Sequence, residues 1–188
     1  MRIAAGLLAV SILSLPVAMA GPPGCNADDD VGRQVCADAE LSALDQRTNE
    51  LYRQAVLQSD DRPTLIAAQR GWLQARDECA DSPLARACIA NSYRTRIAEL
   101  QIQNGLVMAP EAVEFTCDDG SQPFTVAFYN DIDPPAAVLT WGDDQVIALQ
   151  APATGGIHYA TRGVDYREHK GEATVDFHGH ALKCRPLR

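Results

Sequence analysis

The chain has 188 residues, with 16 basic against 25 acidic side chains and a formal net charge of −9. That surplus of carboxylates repels nucleic acid and anionic lipid, so neither is expected as a partner, and it favours a cationic protein through long-range attraction. Residues 1–20 read as a leader: Arg2 supplies the positive end, residues 3–17 are apolar apart from Ser11 and Ser14, and Ala18, Met19 and Ala20 form a small-x-small cleavage pattern. The apolar run is shorter than the roughly 20 residues of a membrane span. Pro22 stands where a lipid-attachment pattern has an aliphatic residue, which disfavours anchoring through Cys25. The expectation is a periplasmic or secreted protein, cleaved near Ala20, with no membrane span.

Beyond the leader, residues 31–103 carry helical periodicity. Val35, Leu41, Leu44, Leu51, Tyr52 and Ala55 recur at helical spacing until Asp60, Asp61, Arg62 and Pro63 interrupt the chain. A second helix follows with Leu65, Ala68, Trp72 and Leu73 on one face. Ser82 and Pro83 read as the start of a third, which carries Ile89, Tyr93, Ile97 and Leu100 and stops at Asn104 and Gly105. This half is expected to be a small helical hairpin bundle over residues 21–103, and residues 104–111 form a linker.

Residues 112–188 change grammar. Short β-rich runs at 115–117, 124–129, 137–141, 146–150, 157–161, 164–166, 173–178 and 181–184 alternate with clusters of Asp, Asn, Gly and Pro. About eight short strands at this spacing suggest an antiparallel barrel or sandwich. The expected fold is therefore α+β in two separate domains, helices first and a small antiparallel eight-stranded β-barrel second.

All six cysteines, Cys25, Cys36, Cys79, Cys88, Cys117 and Cys184, lie beyond the leader. An even count in an exported chain reads as three disulfides, and no close C-x-x-C spacing points to a zinc knuckle. Cys117 in the first strand and Cys184 in the last are placed to bridge the β half. Pairing among the other four stays open on spacing.

The same residues argue against catalysis. There is no G-x-S-x-G elbow, no phosphate-cradling glycine loop and no spare thiol. No enzymatic activity and no cofactor are expected. The four histidines, His158, His169, His178 and His180, all fall in the β half. His178 and His180 would share one side of a continuous strand and form half of a zinc or copper site. Gly179 between them reads better as a turn that splays the pair.

Two resemblances sharpen the expectation. Cys36, Ala37 and Asp38, then Leu44 and Asp45, then the run at 69–79 reading QRGWLQARDEC, with Cys88 and residues 93–97 (YRTRI), resemble the N-terminal family named after the lysozyme inhibitor LprI. The match spans about 25–103. It implies a hairpin stapled by Cys79–Cys88, with Cys25–Cys36 tying down the N-terminus and Trp72 in the seam between helices. Phe115, Thr116 and Cys117, Leu149 and Gln150, residues 155–159 (GGIHY), residues 170–173 (KGEA) and Cys184 resemble the MliC/PliC inhibitors of C-type lysozyme, over about 112–186.

That second family implies an eight-stranded barrel with a disulfide. It also implies two inhibitory loops that enter the lysozyme cleft and meet its catalytic carboxylates: a serine-glycine turn two residues before a tyrosine, and a lysine before a glycine. The matching positions here are Gly155, Gly156 and Tyr159, then Lys170 and Gly171. Gly155 stands where the family has serine, and the hydroxyl of Thr154 lies one residue earlier. On spacing alone Lys170 is a solvated turn residue; the resemblance supplies it with a target. The chain is thus expected to inhibit C-type lysozyme, a basic protein. A non-catalytic envelope scaffold that binds another protein through its helical half is the competing expectation, and a histidine-based metal binder ranks below both.

Overall fold

The computed structural model describes residues 28–120 and 122–187. Residues 1–20, read from the sequence as a leader, and Cys25 lie outside the described residues. The chain forms α1 (Asp30–Ala37), α2 (Ala39–Gln58), α3 (Arg62–Asp77), a 3-10 turn (Glu78–Asp81) and α4 (Ala85–Gln103). Strands β1 (Val113–Cys117), β2 (Phe124–Tyr129), β3 (Ala136–Trp141), β4 (Asp144–Gln150), β5 (Ile157–Thr161), β6 (Val164–His169), β7 (Glu172–Phe177) and β8 (His180–Pro186) follow.

Aspartates start the first three helices. The side chains of Asp29, Asp38 and Asp61 accept from the backbone amides of Gly32, Glu40 with Leu41, and Thr64 respectively. Each such cap gives a partner to amide donors that the first helical turn leaves unsatisfied. Asp38 also divides what the apolar periodicity presents as one helix: it takes an extended backbone (φ −114°), and Ser42 Oγ then donates to the Val35 carbonyl at 2.7 Å, folding α1 back on α2. The third long helix begins at Ala85 rather than at Ser82. The Ser82 hydroxyl accepts from the Leu84 amide in the preceding turn, so it shapes the approach and does not cap the helix.

The buried side of α3 differs from the apolar face expected of it. Ala68 is exposed, whereas Gln69 and Arg76 join Leu65 in the interior. Buried polar groups need partners, and these have them. Arg76 Nη1 donates to the Tyr93 hydroxyl at 2.9 Å, and its Nε donates to Asp77. The guanidinium carbon lies 5.5 Å from the Trp72 ring centroid. Tyr93, fully buried, donates in turn to Asp45, and burial pushes its hydroxyl pKa upward, so it stays a donor. Arg96 Nε donates to Gln69 Oε1 at 2.9 Å. The Cys79–Cys88 disulfide closes the connection between α3 and α4. Cys36 is disulfide-bonded as well.

Each strand of the β half pairs antiparallel with the next, and β8 returns to β1, so the sheet closes into an eight-stranded barrel. Cys117 and Cys184 are direct partners across that closing seam and are joined by a disulfide. Strand alternation turns Ala173, Val175 and Phe177 of β7 inward, together with Val164 and Tyr166 of β6. Phe115, Phe124 and Phe128 ring Tyr166 with centroids 6.0 to 6.4 Å away. β3 is buried on both faces for most of its length; α4 packs against its neighbour β4, and Gln101 of α4 donates to the Asp133 carbonyl in the β2–β3 connection.

Antiparallel order also decides where the connections fall. Those at 130–135, 151–156 and 170–171 share one end of the barrel with the entry from α4, and the other four share the opposite end.

Candidate functional site

The site is built from two connections at the entry end. β6 and β7 are joined by the two-residue turn Lys170 and Gly171, flanked by the pair His169 and Glu172. Both turn residues have left-handed φ, 53° and 79°, as the tightest hairpin loops require. Glycine adopts that conformation freely; lysine holds it because the ladder on both sides leaves no slack.

Lys170 is exposed and makes no ion pair among the described residues. The reason lies in its neighbours, since the carboxylates nearest in sequence on both strands are already engaged. Glu172 pairs with Arg185 at 2.8 Å, Glu168 accepts from the Tyr166 hydroxyl at 2.7 Å, and Asp165 accepts from Arg167 and faces His158. For Asp165, burial opposes ionisation, yet the hydrogen bonds from Arg167 and His158 hold its carboxyl below the usual range. The ammonium is thus free to meet an external carboxylate.

The second connection, with Thr154, Gly155 and Gly156, lies against β6. Ile157 pairs with Glu168, and a side chain at Gly156 would put its Cβ 1.9 Å from the Glu168 carbonyl oxygen. Gly155 lies beside the His169 ring, with Thr154 and Gly155 lining a hollow of about 350 Å³ along with His169 and Glu172. The two loops named from the sequence therefore border one surface, and the chain between them is ordinary barrel.

His158 pins this connection down. Its Nδ1 lies 3.0 Å from the Pro152 carbonyl oxygen and its Nε2 lies 2.8 Å from Asp165 Oδ2, so the ring bridges the loop to β6. Sequence reasoning grouped His158 with the other histidines and within the GGIHY match but gave it no role of its own; its partner Asp165 stands seven residues on, across the β5–β6 hairpin. Tyr159, matched to the inhibitory loop by resemblance, lies in the interior. It is 1% exposed, packs against Phe128 and donates its hydroxyl to Asn130. Its place in the site is to anchor the start of β5 in the core. His178 occupies the turn at the far end while the His180 ring packs on Trp141, so the two do not converge. Among the described residues no cluster of three His, Cys, Asp or Glu is arranged for a metal ion.

Comparison with known proteins follows this layout. The family described as lysozyme inhibitor LprI matches residues 25–100, and the family described as membrane-bound lysozyme-inhibitor of c-type lysozyme matches residues 115–183. Lipoprotein LprI of Mycobacterium tuberculosis and that of Mycobacterium bovis are each 34% identical to this chain over 189 residues, covering 94% of it and 95% of the relative. The chain belongs to the LprI family. No solved structure matches it. The helical half carries the LprI signature and the barrel carries the MliC one, in that order along the chain. Both are families of lysozyme inhibitors, which act by binding and are not enzymes. Among the described residues of this LprI-family protein, no helix is long and apolar enough to cross a membrane.

Proposed function

We propose that this protein inhibits C-type lysozyme by presenting Lys170 to the catalytic cleft, with Thr154, Gly155, Gly156 and Gly171 forming the surrounding contact surface. The observation that carries the proposal is an unpaired ammonium held on a two-residue turn beside the second family-matched loop. A C-type lysozyme cleft holds a glutamic acid and an aspartate. A lysine delivered there exchanges water for carboxylate oxygens with little conformational entropy to lose, because its backbone is already fixed. The acidic body, at −9, complements a basic enzyme.

The test is a lysozyme activity assay with the purified mature protein. Lys170→Ala should weaken inhibition by about thirtyfold or more, the range for removing one member of a desolvated charge pair. Its melting temperature should stay unchanged, because the side chain is exposed. Full-strength inhibition by Lys170→Ala would remove the residue from the mechanism, and no inhibition by the parent protein at micromolar concentration would remove the function.

We read the chain as a leader at 1–20, a helical domain at 21–103, a linker at 104–111 and a barrel domain at 112–188. Export follows, with cleavage after Ala20. The mycobacterial relatives are named lipoproteins, whereas here Cys25 is read as the partner of Cys36. Intact-mass measurement of the exported protein should give an unlipidated chain that starts at Gly21; a mass increment of attached acyl chains would assign Cys25 to an anchor instead.

A further inference from the structure

A larger concave surface lies where the two halves meet. It is a cleft of about 960 Å³ walled by α3, the 3-10 turn and α4 on one side, and by β4, β5 and the adjoining connections on the other. The chain has 25 Asp and Glu side chains, yet among the described residues not one lines this cleft, whose charged lining groups are Arg94 and Arg162. Arg94 is partly occupied, donating to Glu40 and Asn91. Arg162 sits in the exposed turn between β5 and β6 and makes no ion pair among the described residues. Asn91, Gln150 and Thr161 add amide and hydroxyl groups, and the half-buried Trp72 adds an aromatic surface.

Each of these features selects chemistry. A cleft of this size at a domain joint, with an apolar floor and a few converging polar groups, is the usual setting for a small ligand. An unpaired guanidinium selects a carboxylate, which it can hold through two parallel hydrogen bonds. Amides and hydroxyls match sugar hydroxyl and acetamido groups, and an indole covers the apolar face of a sugar ring while staying wet at its edge. We infer that the cleft binds a carboxylate-bearing saccharide. That is the chemistry of the glycan lysozyme attacks, whose sugars carry a lactyl ether and a peptide ending in acids. A protein held on such a strand keeps its barrel loops where lysozyme arrives, while the repulsion its acidic body exerts on the strand is relieved inside this carboxylate-free cleft. The choice of this glycan rests on the lysozyme-inhibitor reading, whereas the cleft itself lies apart from Lys170.

The experiment is calorimetric titration of the full mature protein with the disaccharide-peptide released from peptidoglycan by a muramidase. Saturable binding is expected, weakened about tenfold or more by Arg162→Glu and unchanged by Lys170→Ala. A neutral chitin disaccharide should bind at least about tenfold more weakly than the acidic probe; this comparison uses the unaltered protein and holds whether or not Arg162→Glu folds. Absence of binding at millimolar probe would overturn the inference, as would equal affinity for the chitin disaccharide. Equal affinity for a tri-glutamate peptide would do the same, by making the cleft a site for acidic peptides.

Discussion

Gly155 and Gly156 are adjacent and chemically identical, yet the fold treats them oppositely. At Gly156 the backbone is left-handed (φ 72°) and any Cβ meets the Glu168 carbonyl oxygen at 1.9 Å. The left-handed conformation alone costs a branched residue about 1 to 2 kcal/mol, and the backbone oxygen has nowhere to move within the β5–β6 ladder. Gly156→Val should therefore lower the melting temperature by several degrees and abolish inhibition together, checked by thermal unfolding and the lysozyme assay on one preparation. Gly155 has no such restriction: its Cβ would lie 3.8 Å from the His169 ring, an ordinary contact. Gly155→Ser restores the hydroxyl of the barrel family at no steric cost. It should leave the melting temperature unchanged and tighten inhibition by about fivefold, the scale of one added hydrogen bond. Inhibition that stays level or weakens would show that Thr154 already supplies that contact.

Among the elements, the two described disulfides close loops of very different length. Cys79–Cys88 spans 9 residues and Cys117–Cys184 spans 67. In the chain-entropy account these correspond to about 2.5 and about 4 kcal/mol. The barrel bridge also crosses the seam where β1 meets β8, the one strand pairing that joins the two ends of the β half. Replacing Cys117 and Cys184 together with serine should shift the urea midpoint further than replacing Cys79 and Cys88. The reverse order would mean that the buried network of Arg76, Tyr93 and Asp45 depends on its neighbouring bridge more than the barrel depends on closure. That network explains why α3 accepts polar residues on its inner side: a desolvated guanidinium is stable where a phenol, a carboxylate and an indole all face it.

At the scale of the whole molecule, charge and topology act on the same encounter. The net charge of −9 draws in a basic partner from any direction, but carries no information about orientation. Orientation comes from the barrel: seven antiparallel connections alternate between its ends, and the Lys170 turn and the 154–156 loop necessarily emerge together. The association rate with lysozyme should accordingly fall about tenfold between low and high ionic strength, measured by stopped-flow fluorescence, while the dissociation rate changes little. A salt-independent association rate would place recognition in the loops alone.

Much of this was legible in the amino-acid sequence, for identifiable reasons. Turn residues punctuate the β half so regularly that the eight strands and their order could be counted. A lysine followed by glycine between two alternating runs marks the Lys170 turn without reference to any neighbour, and Cys117 and Cys184 stand at the two ends of that count. These features depend on backbone preferences and short-range alternation, which are local. What the tertiary structure alone decided is which side chains acquire partners. Tyr159, in a predicted strand and matched to the inhibitory loop by resemblance, becomes core because β5 faces Phe128 and Asn130. Gln69 and Arg76 stand outside the apolar face that the periodicity assigns to α3 and are buried because α4 brings Arg96 and Tyr93 against them. Lys170 is left unpaired because its nearby carboxylates are taken, Glu168 by Tyr166 and Glu172 by Arg185 from a strand closing the barrel 15 residues later in the chain. Local chemistry sets where a chain turns; burial and charge pairing depend on residues far apart in sequence, and these are brought together only by the closed sheet and the helices packed on it.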